Sequence, residues 1–207
     1  MGNESLARLA FLANPASVRN MRRQPLSHAF FNRPTLTVAR SLLGKYLVRK
    51  NGEGVIAGKI IEVEAYIGPQ DKACHASKGR TARTDVLFGP AGTSYIYLIY
   101  GMYHCLNVVT EREEFPAAVL IRAIEIEGEL IDGPGRLCRA MQIDRGLNRW
   151  NMTDGKQLWF EDRAVAVRKT DIGSFARIGV DYAGEWAKKP WRFRLNGTEK
   201  KNRKRSS

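Results

Sequence analysis

Residues 55–67, with the sequence VIAGKIIEVEAYI, form the stretch that decides the fold. Over its last seven residues, apolar and polar side chains alternate with the two-residue period of a β-strand. One face of this strand carries Ile61, Val63, Ala65 and Ile67, and the other carries Glu62, Glu64 and Tyr66. The pattern therefore predicts a long strand with two carboxylates and a phenol on the face opposite the aliphatic one.

Further strands and two helices are predicted around this one. Residues 94–103 are apolar and rich in tyrosine, and Gly101 predicts a hairpin turn into a return strand over 105–110. Other strands are predicted at 45–50, 118–124, 158–160, 164–167, 176–178 and 192–195, helices at 36–43 (ended by Gly44) and 136–141, and a long polar loop at 68–84. The chain is therefore expected to form one mixed α/β (α+β) domain over residues 35–196, with mostly antiparallel strands.

The composition is that of a globular protein with a strong basic excess. The 207 residues include 34 Lys and Arg against 21 Asp and Glu, a formal net charge of +13. This excess is expected of a protein that binds a nucleic-acid backbone, although solubility, ribosomal contact or membrane-surface binding would give the same sum. No apolar run approaches the roughly 20 residues that span a bilayer, which argues against an integral membrane protein.

Cysteine and histidine usage argues against a metal site. The three cysteines, Cys74, Cys105 and Cys138, are widely spaced and form no CxxC pair, and the histidines form no HxxxH or HxE pattern. We therefore expect no metal and no disulfide framework, and an intracellular, reducing compartment. That compartment would be the cytoplasm or nucleoid in a bacterium, and the nucleus or an organelle in a eukaryote.

Both ends of the chain are basic. Residues 1–34 carry five Arg and one Glu, and they are expected to be a flexible arm or a targeting segment resembling an organellar transit peptide. Residues 197–207 carry five basic residues and one Glu, and they are expected to be a flexible tail, either a nuclear address or a solvated end.

The strand face with Glu64 and Tyr66 is a candidate for chemistry. A carboxylate beside a tyrosine in an apolar strand suits a general base in a partly dry pocket. The alternative is that Glu62 and Glu64 lie on the wet face of a half-exposed sheet. Arg122 stands among aliphatic residues and needs a carboxylate partner if it is buried, for which Glu64 is a candidate; otherwise it reaches solvent from an edge strand.

The tyrosine run 95–103 admits two interpretations. Four tyrosines, Tyr95, Tyr97, Tyr100 and Tyr103, lie within nine residues next to a glycine turn. Such rings usually pack in a core or across strands. They also provide stacking platforms for bases, and a bulky side chain at an exposed hairpin tip can enter between base pairs.

Several stretches match a known family in order and with similar spacing. They are residues 61–69 (IEVEAYIGP), Asp71, 73–75 (ACH), 92–103 (GTSYIYLIYGMY), Asn107, 119–123 (VLIRA), 132–138 (DGPGRLC) and 179–193 (GVDYAGEWAKKPWRF). Together they resemble the alkyladenine (3-methyladenine) DNA glycosylase family over residues 36–195. The resemblance does not extend to residues 1–34 or 197–207.

The resemblance implies a fold, an activity and a partner. The implied fold is a single α/β domain around a curved antiparallel sheet. The implied activity is that of a monofunctional DNA glycosylase, which removes alkylated or deaminated purines by hydrolysing the N-glycosidic bond without a metal or a cofactor. Its partner is double-stranded DNA containing damaged purines, and we expect a monomer that does not bind membranes.

The resemblance also implies roles for seven residues. Glu64 looks like the base that activates the attacking water, and Arg122 like the residue that positions this water or keeps the carboxylate ionised. The walls around the flipped base would be Tyr66, His75 and Tyr97. Tyr100 looks like the wedge that fills the gap in the duplex, and Asn107 resembles the residue that excludes guanine by crowding its exocyclic amine.

Three alternatives stay open from the sequence. Glu62 lies on the same strand face as Glu64 and is a rival base. The basic charge and the tyrosines also fit a non-catalytic nucleic-acid-binding module. A glycosylase with lyase activity would need a lysine nucleophile; Lys59 lies on the opposite strand face from Glu64, whereas Lys72 in the long loop is a candidate.

Overall fold

The computed structural model of the protein describes residues 23–198. Ten strands and three α-helices make up its regular structure. In chain order they are β1 (Gln24–Pro25), α1 (His28–Phe31), α2 (Thr35–Leu42), β2 (Tyr46–Asn51), β3 (Gly54–Ile67), β4 (Ser94–Ile99), β5 (Tyr103–Val109), β6 (Ala117–Ile126), β7 (Glu129–Asp132), α3 (Pro134–Ala140), β8 (Leu158–Asp162), β9 (Ile172–Phe175) and β10 (Arg192–Leu195). Short 3₁₀ helices at His75–Lys78, Asp85–Phe88, Arg145–Leu147, Lys169–Asp171 and Asp181–Trp186 lie in the connections.

All ten strands form one sheet whose pairings are antiparallel. The main path runs β1-β8-β2-β3-β6-β5-β4, with β7 beside β6, and β10 between β3 and β9. The 14-residue β3 is the spine of this sheet, because it pairs with β2 along its first half, with β10 along its second half and with β6 on its other side. The expected fold class, a single mixed α/β domain around a mostly antiparallel sheet with flanking helices, is confirmed.

The main hydrophobic core lies between one face of the sheet and the helices. It contains Val63 and Ala65 of β3, which the alternating pattern assigned to the aliphatic face, together with Leu42 of α2 and Leu137 of α3. The opposite face of β3 carries Glu62, Glu64 and Tyr66 and is also covered. There the loop after β3 packs as a second cluster around Cys74, Leu87 and Tyr95, and the segment after β9 lies beside it.

Pairing between β3 and β6 is irregular at one place. The register shifts between Ile60 and Glu62 and shifts again between Glu62 and Val63, so that Arg122 of β6 has no direct partner on β3. Such bulges re-aim side chains without ending the ladder, and they often occur beside functional sites. Glu62 and Arg122, which flank this irregularity, both turn their side chains toward the covered face.

Most predicted elements are confirmed within one to three residues at their ends. The hairpin after residue 99 occurs where Gly101 predicted it, and α2 ends just before Gly44, whose φ of 78° is a conformation that favours glycine. The long loop 68–84 is present apart from one 3₁₀ turn.

Two predicted strands are wrong. Residues 164–167 are irregular because Ala164 has a φ of 55°, which no extended strand accommodates, and residues 164–166 stay exposed. Residues 176–178 are also irregular, and the strand in this region is β9, which ends at residue 175. The backbone N–H of Ile178 does not enter a strand ladder because it donates to the Glu64 carboxylate.

The packed structure begins before residue 35, where the sequence placed the start of the domain. Pro25 pairs with Glu161 of β8, and Phe31 is fully buried in the main core. Residues 1–22 of the expected N-terminal arm and 199–207 of the expected tail lie outside the described residues.

Candidate active site

A cavity of about 500 Å³ opens on the covered face of the sheet. It lies between β3, β4, β5, β6, the loop after β3 and the segment 178–182. Six of the seven residues that the family resemblance assigned to a site line it, namely Tyr66, His75, Tyr97, Tyr100, Asn107 and Arg122. The seventh, Glu64, lies directly behind the wall, where its carboxylate contacts Tyr66, Arg122 and Ile178, all of which line the cavity. The fold therefore brings all seven residues together.

Glu64 is fully buried, and three groups contact its carboxylate. Its Oε1 accepts a hydrogen bond from the Ile178 backbone N–H at 2.9 Å, and the Arg122 Nη1 lies 3.4 Å from the same oxygen. Its Oε2 accepts a hydrogen bond from the Tyr66 hydroxyl at 2.8 Å. The alternative of two carboxylates on a wet strand face is wrong, because Glu64 is 0% exposed and Glu62 is 1% exposed.

The environment of Glu64 acts on its pKa in two directions. Burial raises the pKa of this carboxyl above its ordinary value, and the nearby Glu62 adds to the increase. The charge of Arg122 and the hydrogen bonds from Ile178 and Tyr66 oppose it without cancelling it. A carboxylate with a raised pKa is a stronger base than an exposed one, which suits the removal of a proton from water.

Glu62 lies in a different electrostatic setting on the same strand. Its carboxylate accepts charged hydrogen bonds from three arginines, Arg122 at 3.2 Å, Arg192 at 3.1 Å and Arg194 at 2.6 Å. Of these three arginines only Arg122 lines the cavity, whereas all three groups that contact Glu64 do. Three guanidinium groups occupy most of the acceptor positions of this carboxylate and leave little room for a water molecule.

Arg122 connects the two carboxylates. Its Nε donates to Glu62 and its Nη1 lies against Glu64, while its side chain is 12% exposed and borders the cavity. The alternative of an arginine that reaches solvent from an edge strand is wrong, because β6 lies between β3 and β5. The expectation that a buried Arg122 has a carboxylate partner is confirmed.

Aromatic rings form another wall of the cavity. The rings of His75 and Tyr97 meet edge to face with centroids 4.6 Å apart, and Tyr97 lies 5.4 Å from Tyr95. The His75 Nδ1 is 2.9 Å from the Tyr95 hydroxyl oxygen. Burial, and then the charge of Arg83, lower the pKa of His75 to about 4, so this ring is uncharged at neutral pH.

Arg83 stands at the rim of the cavity. Its guanidinium carbon lies 5.3 Å from the centroid of the Tyr97 ring, and its Nη2 is 3.4 Å from the His75 Nε2. Because a guanidinium can only donate, this contact assigns the proton of neutral His75 to Nδ1, which then faces Tyr95.

The hairpin between β4 and β5 projects from the rim. Tyr100 and Gly101 have φ values of 52° and 69°, and the Met102 N–H donates to the Ile99 carbonyl, as in a type I′ turn. A tyrosine is unfavourable at this position, where asparagine or glycine is preferred. Its side chain is nevertheless 83% exposed, so the strained residue gains no compensating burial within the protein itself.

Asn107 of β5 is buried at the cavity wall. Its exposed fraction is 4%, and its side-chain amide donates to the Tyr95 carbonyl at 3.1 Å. This bond fixes the plane of the amide at the base of the aromatic wall.

Among residues 23–198, no lysine lines the cavity. Lys59 pairs with Glu125 at 2.8 Å, and Lys72 is exposed on the loop after β3. Within the same range, no three His, Cys, Asp or Glu side chains lie where they could hold a metal ion. No helix of this part of the chain is long and apolar enough to cross a membrane.

Sequence reasoning missed two parts of the site. The Ile178 N–H is a backbone group, and no side-chain pattern announces it. Asp71 and Arg177 form a fully buried ion pair beneath Tyr66. Asp71 is one of the positions that matched the family, but no role could be assigned to it from the sequence, and its partner lies 106 positions further along the chain.

Comparison with known proteins gives a consistent result. A family model described as methylpurine-DNA glycosylase matches residues 29–199. A protein of Methanocella arvoryzae is 55% identical over 184 residues, which cover 81% of this chain and 90% of that protein. Proteins of Myxococcus xanthus (49% identical, 81% and 88% covered) and Legionella pneumophila strain Corby (50% identical, 81% and 92% covered) are also similar. All three carry the name "Putative 3-methyladenine DNA glycosylase".

Proposed function

This chain belongs to the methylpurine-DNA glycosylase family, and we propose that it hydrolyses the N-glycosidic bond of a flipped, damaged purine with a water activated by Glu64. It is thus a DNA repair enzyme, a hydrolase acting on N-glycosyl bonds, and its substrate is DNA. The observation that carries the proposal is the buried Glu64 carboxylate behind an aromatic-lined cavity, in contact with Arg122, Tyr66 and Ile178.

The contacts of Glu64 support its role as the base. A carboxylate offers about four lone-pair positions. The Ile178 N–H and Arg122 approach Oε1, and Tyr66 approaches Oε2. Among residues 23–198 no second donor contacts Oε2, so its other acceptor position is the proposed place of the water, and Arg122 lies close enough to favour the ionised carboxylate.

The proposed reaction conserves atoms and charge. The water oxygen forms a bond to the anomeric carbon of the deoxyribose while the bond from that carbon to the purine nitrogen breaks. The bonding electron pair leaves with the base, and Glu64 takes the proton of the water. The negative carboxylate also stabilises the positive charge that develops on the sugar, as in glycoside hydrolysis. The products are an abasic site and a free purine.

The aromatic walls support recognition of an alkylated base. A base within the duplex cannot reach a buried carboxylate, so it must rotate into the cavity at a cost of a few kcal/mol. A purine alkylated on a ring nitrogen is cationic, and stacking on the faces of Tyr66 and Tyr97 adds a cation–π contribution of roughly 0.5–2 kcal/mol. The uncharged state of His75 suits a wall for such a base, because it adds no repulsion.

Tyr100 and Asn107 have complementary proposed roles. Tyr100 is exposed at the tip of a hairpin beside the cavity and is proposed to fill the gap that the flipped base leaves in the duplex. Asn107 is buried and fixed by Tyr95, and it is proposed to crowd the exocyclic amine of undamaged guanine. Both roles concern discrimination and not the hydrolytic step.

The remaining alternatives make different predictions. A lyase would form a covalent adduct through a lysine that borohydride traps on DNA. The position of Lys59 and Lys72 away from the cavity supports hydrolysis by water. A non-catalytic binding module would bind DNA without releasing base, which is not what the family assignment supports.

The decisive experiment compares two matched variants of β3. Duplex DNA methylated with dimethyl sulfate is incubated with excess enzyme, and the released purines are quantified by chromatography. We expect Glu64→Gln to lower the rate of base release by about 10²–10⁴-fold, whereas Glu62→Gln retains hydrolysis. Retained activity of Glu64→Gln together with loss in Glu62→Gln would reverse the assignment.

A further inference from the structure

We propose that the buried Asp71–Arg177 ion pair is a positioning device that aims two hydrogen-bond donors, the Tyr66 hydroxyl and the Ile178 N–H, at the Glu64 carboxylate. The inference rests on the proposed function of Glu64. It assigns a role in the reaction to two residues whose own hydrogen bonds go to groups other than Glu64.

The pair is bidentate and wholly removed from solvent. Arg177 Nη1 lies 2.6 Å from Asp71 Oδ2, and Arg177 Nη2 lies 2.8 Å from Asp71 Oδ1, with both side chains 0% exposed. The same guanidinium donates to the Ala65 carbonyl at 2.9 Å and to the Trp186 carbonyl at 3.0 Å. These contacts join β3 to the segment that follows β9.

Asp71 extends this connection to the loop after β3. Its two carboxylate oxygens also accept the backbone N–H groups of Ile67 and Ala73, each at 3.1 Å. The pair thus fixes the end of β3, the loop that carries His75, and the segment that carries Ile178 relative to one another.

Both donors to Glu64 depend directly on Arg177. The Arg177 guanidinium carbon lies 4.8 Å from the centroid of the Tyr66 ring and 5.1 Å from that of Trp191. The Tyr66 ring, placed against this cation, directs its hydroxyl to Glu64 Oε2. Ile178 follows Arg177 in the chain, so the anchored arginine also sets where the Ile178 N–H points.

The pair is not explained by stability alone. Replacing a buried ion pair by apolar side chains is often neutral or stabilising. The Arg177 Nε is in addition buried without a hydrogen-bond partner among residues 23–198, which is unfavourable. A bidentate pair that leaves a donor unsatisfied is better explained by the geometry that it imposes on Tyr66 and Ile178.

The expected consequence is electrostatic. Hydrogen bonds to an ionised carboxylate favour the ionised form. Misdirecting the two donors therefore raises the pH at which Glu64 loses its negative charge. The other charged or titratable groups that face Glu64 from neighbouring elements are Arg122 of β6, Glu62 of β3, Tyr97 of β4, Cys105 of β5 and Arg192 of β10. Changes at Asp71 or Arg177 leave these in place.

The test is the pH dependence of single-turnover base release from duplex DNA methylated with dimethyl sulfate. We expect Arg177→Lys and Asp71→Asn to move the acidic limb of the profile to higher pH by about one unit, a tenfold lower rate at any pH on that limb. Glu161→Gln is the matched control. Glu161 of β8 is a buried carboxylate that pairs with Arg163 at 2.6 Å. Strand β2 lies between β8 and β3, so Glu161→Gln should leave the acidic limb at the wild-type pH.

A double variant controls for unfolding caused by a single change. Removing one partner leaves a lone buried charge, whereas the double change Asp71→Asn with Arg177→Gln leaves none. We expect the same displacement of the acidic limb in the double variant, with folding verified by circular dichroism. If the rate is lower but the acidic limb stays at the wild-type pH, in either the single or the double variants, the pair has only a structural role and the inference is wrong.

Glu64→Gln separates this outcome from a failure of the proposed function. If Glu64→Gln retains base release, then Glu64 is not the base and the proposed function fails. If Glu64→Gln is inactive while the Asp71 and Arg177 variants keep the wild-type limb, only the positioning role fails.

Discussion

Two regions of the molecule differ in how they place their side chains: the floor of the cavity, which we define as Glu64 with Tyr66, Arg122 and Ile178, and the tip of the β4–β5 hairpin at Tyr100. On the floor, Glu64 is fully buried and is contacted by three groups from different parts of the chain. At the tip, Tyr100 is exposed and its backbone is strained, with no burial to offset the strain. The difference indicates that Glu64, the proposed base, is held in place by the protein alone, whereas we expect Tyr100 to gain favourable contacts only when DNA binds.

Of the changes considered, removal of Arg122 should have the largest effect on stability and activity. Arg122→Met leaves Glu64 beside Glu62 without the cation between them, so we expect a loss of about 3–5 kcal/mol in the free energy of unfolding, together with loss of base release. Urea denaturation measures the first effect. As a control, Arg168→Met removes an exposed ion pair with Asp171 and should leave the denaturation midpoint unchanged. An unchanged midpoint for Arg122→Met would show that the floor does not depend on this cation.

The pH profile of the wild-type protein tests the protonation of Glu64. Burial raises the pKa of Glu64, so the ionised base is lost as pH falls through a value above the ordinary 4.5. We expect single-turnover base release to drop tenfold for each pH unit below that midpoint and to reach a plateau above it. His75, with a pKa of about 4, stays uncharged across the plateau. A rate that increases with acidity on a cationic leaving base would contradict the role of Glu64.

At the tip, stability and activity should change in opposite directions. Tyr100→Asn places a residue that accepts positive φ in the turn, so we expect the free energy of unfolding to rise by about 0.5–1 kcal/mol. Excision from damaged duplex should fall by about tenfold, while binding of single-stranded DNA is retained.

A second turn in the molecule supplies the control for Tyr100. Glu127 and Gly128, between β6 and β7, have φ values of 50° and 83°, a similar backbone without an aromatic side chain. Glu127→Asn should relieve the same strain without affecting excision. An equal loss of duplex excision and of single-strand binding in Tyr100→Asn would argue against the proposed insertion of Tyr100 into the duplex.

A change at the rim of the cavity, at Arg83, should have the smallest effect. Arg83 is exposed, and its charge is the second cause of the low pKa of His75, after burial. We expect Arg83→Ala to raise the pKa of His75 by a fraction of a unit, measured by NMR titration of the imidazole. Arg80→Ala, a change on the same loop at a residue that pairs with Asp85, should leave it unchanged. A pKa that does not move would mean that burial alone sets it.

The hairpin and β3 could be predicted from the sequence because their signals are local. Alternation over residues 61–67 and the glycine after Tyr100 determine strand and turn without reference to distant residues. The burial of Glu62 and Glu64 could not be predicted in this way, because it depends on a loop and a segment that fold over the sheet from elsewhere. The wrong strand at 176–178 has the same origin, since Glu64 takes the N–H that a ladder would need.

The site residues were predicted by resemblance and not by their pattern. Alternation placed Glu62 and Glu64 on one face without distinguishing them. The two carboxylates differ in the structure because three arginines contact Glu62, and two of these come from β10, about 130 positions further along the chain. A backbone donor such as Ile178 leaves no trace in side-chain chemistry, so only the folded chain reveals it.

The position of Glu64 within β3 has a consequence for heat inactivation. Amides in a strand that is hydrogen-bonded on both edges exchange with solvent mainly through global unfolding. β3 is such a strand, since β6 and β10 flank it at Glu64. We therefore expect deuterium uptake at residues 62–66 to be among the slowest in the protein, so that warming displaces the Glu64 backbone only in molecules that have unfolded altogether.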